Sequence, residues 1–156
     1  MKSLTCKLVL PLTVISLSVF TKWWYVLPVD APDCMMLGFP FPFVCDGWHT
    51  SMSLQIFFLE LITDLLIYFA FWLALIFCIN KYFIKIKLNG IITILLITME
   101  GLFSSFLIYI ACMSDNLFYF KRNFDTEILV TGYKFTWEGN TRPENFDFEK
   151  YRRKKN

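Results

Sequence analysis

The sequence predicts an all-α integral membrane protein: three transmembrane helices, an extracytoplasmic loop, and a short C-terminal tail holding a strand or hairpin. Three observations lead there. Of 156 residues, 56% are hydrophobic and only 18% charged, more apolar surface than a soluble domain of this size can cover. The apolar residues gather in three runs, at 8–27, 53–79 and 91–113, each near the ~20 residues that a helix needs to cross ~30 Å of hydrocarbon. Between the second and third runs, "NKYFIKIKLNG" (80–90) carries Lys81, Lys85 and Lys87 and no acid, the charge pattern of a cytoplasmic connection. The organisation expected is a transmembrane anchor at 1–27, a cysteine-bracketed extracytoplasmic loop at 28–52, a transmembrane hairpin at 53–113 and an extracytoplasmic, aromatic-rich tail at 114–156.

In the first run the strongly apolar core, 8–20, is short. Thr21, Lys22, Trp23, Trp24 and Tyr25 complete it as interfacial residues, with Lys22 snorkelling towards water. A cleaved signal peptide is the rival reading, but Ser18-Val19-Phe20 is a poor substitute for the small-residue A-x-A site. The run therefore reads as an anchor. Lys2 and Lys7 precede it, so the N-terminus and the 80–90 connection share the inner side, against Lys22, Lys121 and Arg122 outside. The distal "KYRRKKN" (150–156) then lies outside; in the inverted topology it would be a basic patch for anionic lipid.

In the loop, Cys34 and Cys45 bracket "MMLGFPFPFV". On an oxidising outer face they could pair, a stabilisation of about 3 kcal/mol in the chain-entropy model, the alternative being two buried thiols. Pro40 and Pro42 lack N–H groups, so the stretch makes neither a good helix nor a central strand. It is expected at the interface or capping the bundle; a re-entrant pore loop is the sharper alternative. The G-F-P-x-P pattern at 38–42, followed by a span containing Asp64, resembles small multi-span bacterial membrane proteins of no known activity. The resemblance covers 38–72. It implies a multi-pass protein of a bacterial inner membrane, N-terminus cytoplasmic on the lysine pattern, and it carries no activity with it.

The third run contains Glu100 near its midpoint, with Thr93 and Ser104 close to the same stripe. On another face Thr98, Gly101, Ser105 and Cys112 form a small-residue strip, and Gly101-x-x-x-Ser105 is a pattern that lets helix backbones approach closely. In the tail, "EILVTGYKFTWEGN" (127–140) has the β-branched and aromatic content of a strand or hairpin. Some 40 residues build no independent core, so the tail is expected to pack on the outer membrane face, the first loop or a partner chain.

Chemistry points to three acids. Glu60 and Asp64 share a helix face about 40° apart, and no Lys, Arg or His lies in the second or third run. From the cytoplasmic end Glu100 would stand at about 15 Å, Asp64 at about 22 Å and Glu60 at about 28 Å, close enough for Asp64 and Glu100 to approach. An ionised, unpaired carboxylate in hydrocarbon costs at least several kcal/mol. Each acid must therefore protonate, hold a cation, or face water or another chain. Shared protons holding helices together is one reading; a titratable path is the other.

Enzymatic classes find little purchase. There is no G-x-S-x-G and no nucleotide-binding glycine loop. His49 is the one histidine, with Asp46 its nearest acid, and no CxxC or HExxH spacing occurs, so neither metal nor cofactor is expected. Basic residues form no single face for nucleic acid. The expected function is a non-enzymatic accessory or assembly subunit of a larger bacterial membrane complex, docking through its spans and outer tail. The alternative is a homo-oligomeric proton or cation channel, or a membrane effector, using Glu60, Asp64 and Glu100.

Overall fold

The first apolar run does not stay helical. In the computed structural model, which describes residues 4–28, 33–47, 53–86 and 89–139, a π-helical turn Thr5–Val9 leads into α1, Leu10–Val19. Thr13 and Ser18 return their hydroxyls to the Val9 and Val14 carbonyls at 2.8 Å, so neither is left unpaired in an apolar helix. The continuous helix, Thr5–Val19, has 15 residues, about 22 Å of rise, short of the ~30 Å hydrocarbon thickness. It stops where aromatic and β-branched residues crowd together, and β1, Phe20–Pro28, begins. The expected first span is corrected accordingly: residues 20–27 are strand.

Three short strands follow: β2 Cys34–Leu37, β3 Val44–Asp46 and β4 Leu54–Phe57. The chain then passes directly into α2, Phe58–Cys78, which a π-helical turn extends to Phe83. The helix α3, Gly90–Ala111, starts at an Asn89 cap whose side chain accepts the Ile91 amide at 3.3 Å. Two more strands, β5 Leu117–Tyr119 and β6 Thr126–Phe135, complete one six-stranded sheet of order β5-β4-β3-β2-β1-β6. Neighbours are antiparallel except β4 and β5. That parallel pair needs a long crossover; α2 takes the chain away from the sheet and α3 brings it back. The architecture is therefore α/β, not all-α, and two helices rather than three are long and apolar enough to cross a membrane, Phe58–Phe83 and Gly90–Ala111.

Helix α1 packs on both long helices, which scarcely touch each other. The Trp72 indole donates to Ser16 Oγ at 2.9 Å, fixing one seam. Only 17% of the most apolar stretch of α2 and 6% of that of α3 are buried within the chain. Most of the apolar surface of both helices is thus left uncovered by the described residues, an extent of exposed apolar surface that marks an interaction or membrane site.

The sheet has a core of its own, in which Val26, Cys34, Met36, Cys45 and Phe57 are buried with Trp24, Tyr119 and Phe124 against them. Complete burial of a side chain such as Phe57 stabilises by about 1.5–3 kcal/mol. Along the β1–β6 seam Tyr25 faces Val130 and Val26 faces Ile128, so Leu129 is an extra residue in β6. The bulge resets the alternation and lets consecutive Tyr25 and Val26 both be buried. Opposite Trp23 stands Gly132, where a Cβ would meet the indole nitrogen at 2.5 Å; the ring lies over the glycine. Lys22 sits 3.7 Å above the Trp24 ring rather than reaching for water, a cation–π contact within β1.

Candidate functional site: acids at the helix–sheet junction

Because α2 grows directly out of β4, its first two turns lie against the sheet. Glu60 falls in the first turn, where a carboxylate suits the helix dipole, and Asp64 follows one turn later, about 9 Å along the axis from Phe58. Both therefore belong to the junction. The loop joining β2 to β3 comes down beside them.

That loop is tightly determined. Gly38 has φ 145, and a Cβ there would fall on the Phe41 carbonyl oxygen and 2.7 Å from the Phe43 ring. Its amide donates to the Lys22 carbonyl at 3.0 Å, and its carbonyl accepts the Trp24 indole N–H at 2.9 Å. The Phe39–Pro40 peptide is cis. Phe43 donates back to the Leu37 carbonyl at 2.9 Å. Pro40 and Pro42 have no N–H, so Phe39 and Phe41 hold the only amides between Gly38 and Phe43. The Phe41 amide donates to Asp64 Oδ1 at 3.0 Å. The Phe39 amide lies near the same carboxylate without reaching full hydrogen-bond geometry, since Asp64 Oδ2 is buried without a partner among the described residues. Asp64 itself is 0% exposed.

Glu60 does the same for the other end of the sheet, more weakly. Its Oε1 accepts the Arg122 amide at 3.4 Å, next to the Leu59 amide donating to the Phe120 carbonyl at 3.0 Å. Its Oε2 is buried and unpaired among the described residues. Around the junction Phe39 packs edge-on against Phe20, Tyr68 and Tyr133, with centroids 5.9, 6.4 and 5.5 Å away. Phe20 and Tyr133 stack at 5.6 Å. Both acids thus act as acceptors for backbone amides at the junction.

Glu100 is elsewhere. Thr93, Leu96, Glu100, Phe103 and Ser104 form the side of α3 partly withdrawn from the surface, and α3 packs chiefly on α1. Glu100 makes no hydrogen bond among the described residues, and the separation of α2 from α3 by α1 keeps it from Asp64. The small-residue strip lies on another side, as expected, and meets none of the described helices: Gly101 and Ser105 are exposed, and a Cβ on Gly101 would have nothing within 4 Å. The Glu100 stripe is the internal face and the Gly101–Ser105 strip the open one.

Cys34 and Cys45 are neighbours in the sheet core, with Sγ atoms 3.3 Å apart. The hydrogen bond to Cys34, together with burial, holds the Cys45 thiol above its ordinary range. Cys6, Cys78 and Cys112 are exposed. His49 and the basic stretch 150–156 lie outside the described residues. Among the described residues no group of three or more His, Cys, Asp or Glu could hold a metal ion.

The sequence marks Gly38–Pro42 as a proline-broken loop and Arg122 as an outer basic residue, but not the Phe41 amide as a donor to Asp64, the Arg122 amide as a donor to Glu60, or the Ser16–Trp72 contact. One signal was present: alternating prolines leave a loop with two amides, and such amides need an acceptor. Comparison with protein-family models, curated proteins and solved structures gave no match.

Proposed function

We propose that the chain is a non-enzymatic accessory or assembly subunit of a bacterial inner-membrane complex. In this reading α2 and α3 cross the bilayer, α1 fills the space between them, the N-terminus is cytoplasmic and the sheet lies outside. Lys7, at the start of the first helix, and Lys81 and Lys85, after α2, all sit at the end remote from the sheet, as the positive-inside rule requires of a cytoplasmic side. The observation that carries the docking role is the open face of α3. It is an apolar spanning helix, 6% buried in its most apolar stretch, with Gly101 and Ser105 exposed at small-xxx-small spacing. Lipid gains nothing particular from such a face, whereas a partner helix can approach it at backbone distance. Purified in mild detergent from its native membrane, the protein should co-migrate with other polypeptides, and Gly101→Leu should release it. A monodisperse monomer that no partner accompanies would contradict the role.

Glu60 Oε2 and Asp64 Oδ2, buried and without a partner among the described residues, favour one second reading, a homo-oligomeric proton or cation path. It predicts ion flux in reconstituted vesicles that Asp64→Asn or Glu100→Gln alters. Equal flux in wild type and both variants removes it.

A further inference from the structure

We propose that Cys34 and Cys45 are joined by a disulfide, made as the sheet assembles by exchange with a disulfide-bearing oxidant of the extracytoplasmic compartment, and that it locks the loop seated on Asp64. The proposal rests on the orientation above, with the sheet outside. The register β2–β3 pairs Met36 with Cys45 and Leu37 with Val44, which puts Cys34 diagonally across from Cys45 on the same face. Both side chains enter the sheet core, where the sulfurs stand 3.3 Å apart; the bond, at about 2.05 Å, requires them to close by about 1.3 Å. The two cysteines are 11 positions apart and enclose the whole of the Gly38–Phe43 turn. A bond between them removes the freedom of the segment that must present the Phe41 amide to Asp64.

The exchange is balanced. One cysteine thiolate attacks the oxidant's disulfide, forming a mixed disulfide and releasing one oxidant thiolate. The second cysteine thiolate attacks the sulfur of the first, and the second oxidant thiolate leaves. Two protons and two electrons leave the cysteine pair, and the oxidant ends as a dithiol. Timing follows from burial. Cys34 is 7% exposed and Cys45 1%, and the folded sheet keeps Cys45 as a protonated thiol. Exchange therefore takes place while β2 and β3 are still open, and once the sheet closes a reductant no longer reaches the bond.

The test uses the full chain in its native membrane. Thiols are blocked with a maleimide in denaturant, the sample is then reduced, and newly freed thiols are tagged with a heavy maleimide. Wild type should gain two tags, and Cys34→Ser and Cys45→Ser none; the readout is taken after denaturation, so it does not depend on either variant folding. Treating folded wild type with reductant before blocking should leave both tags in place. A C-terminal reporter fixes the side of the sheet in the same cells. Five blocked thiols and no tags, with the sheet outside, overturn the disulfide. If the reporter places the sheet in the cytoplasm, the orientation has failed instead, and refolding the purified chain with oxidised glutathione decides the pairing. A Cys34–Cys45 cross-linked peptide then supports the pair, and its absence overturns it.

Discussion

Asp64 does the work of a strand partner, receiving a backbone amide that two prolines leave with no neighbour in the sheet. Replacing it with alanine leaves the Phe41 N–H, part-buried at the junction, without its acceptor, a loss of about 1 kcal/mol. Asp64→Ala should thus lower the thermal midpoint in detergent by several degrees, while Asp64→Asn, which keeps an oxygen acceptor, should lose much less. Equal losses in the two variants would mean that the carboxylate's charge, not its acceptor, holds the loop. Gly38→Ala makes a second residue-scale prediction, because its φ of 145 and the closeness of the Phe41 carbonyl leave no room for a Cβ. It should destabilise by at least about 1 kcal/mol, seen as a lower midpoint in the same melts. Both partners were legible in the sequence, the aspartate as a buried acid and the loop as a proline-broken turn. Their meeting was not, because 23 positions separate Phe41 from Asp64 and only the β2–β3 hairpin brings them together.

At the scale of elements, long periodic runs were readable and short ones were not. The third run, expected at 91–113, is the helix Gly90–Ala111. The second begins five residues late, because Leu54–Phe57 is strand β4 and only its pairing with β3 reveals that. Strands of three or four residues carry too little pattern to register, and β2, β3, β4 and β5 are all of that length. The first run misleads for a different reason: Phe20–Pro28 is apolar enough for an interface, but its aromatic and β-branched residues fit a pleated surface, and β6 supplies the partner. That pairing is exposed to test at Gly132, over which Trp23 lies. Gly132→Val should displace the indole and cost about 1–3 kcal/mol through overpacking. The change should appear as altered tryptophan fluorescence and faster proteolysis of the β6 segment.

For the whole molecule, all three helices meet the sheet at one end, and α1 holds apart two long helices whose outer faces are almost wholly uncovered. Glu60 and Asp64 each accept one backbone amide at the junction, while Glu100 stands apart on α3, so the three acids do not gather along one axis. The α3 face bearing Gly101 and Ser105 is where a partner helix would sit. A photo-reactive amino acid at Leu102, 65% exposed on that side, reports on it directly in native membranes, with Leu96 on the partly withdrawn side as the internal control. Irradiation should give a discrete adduct to another polypeptide from position 102, lost in the Gly101→Leu background, and only intramolecular products from position 96. Lipid adducts alone from position 102 would contradict the account.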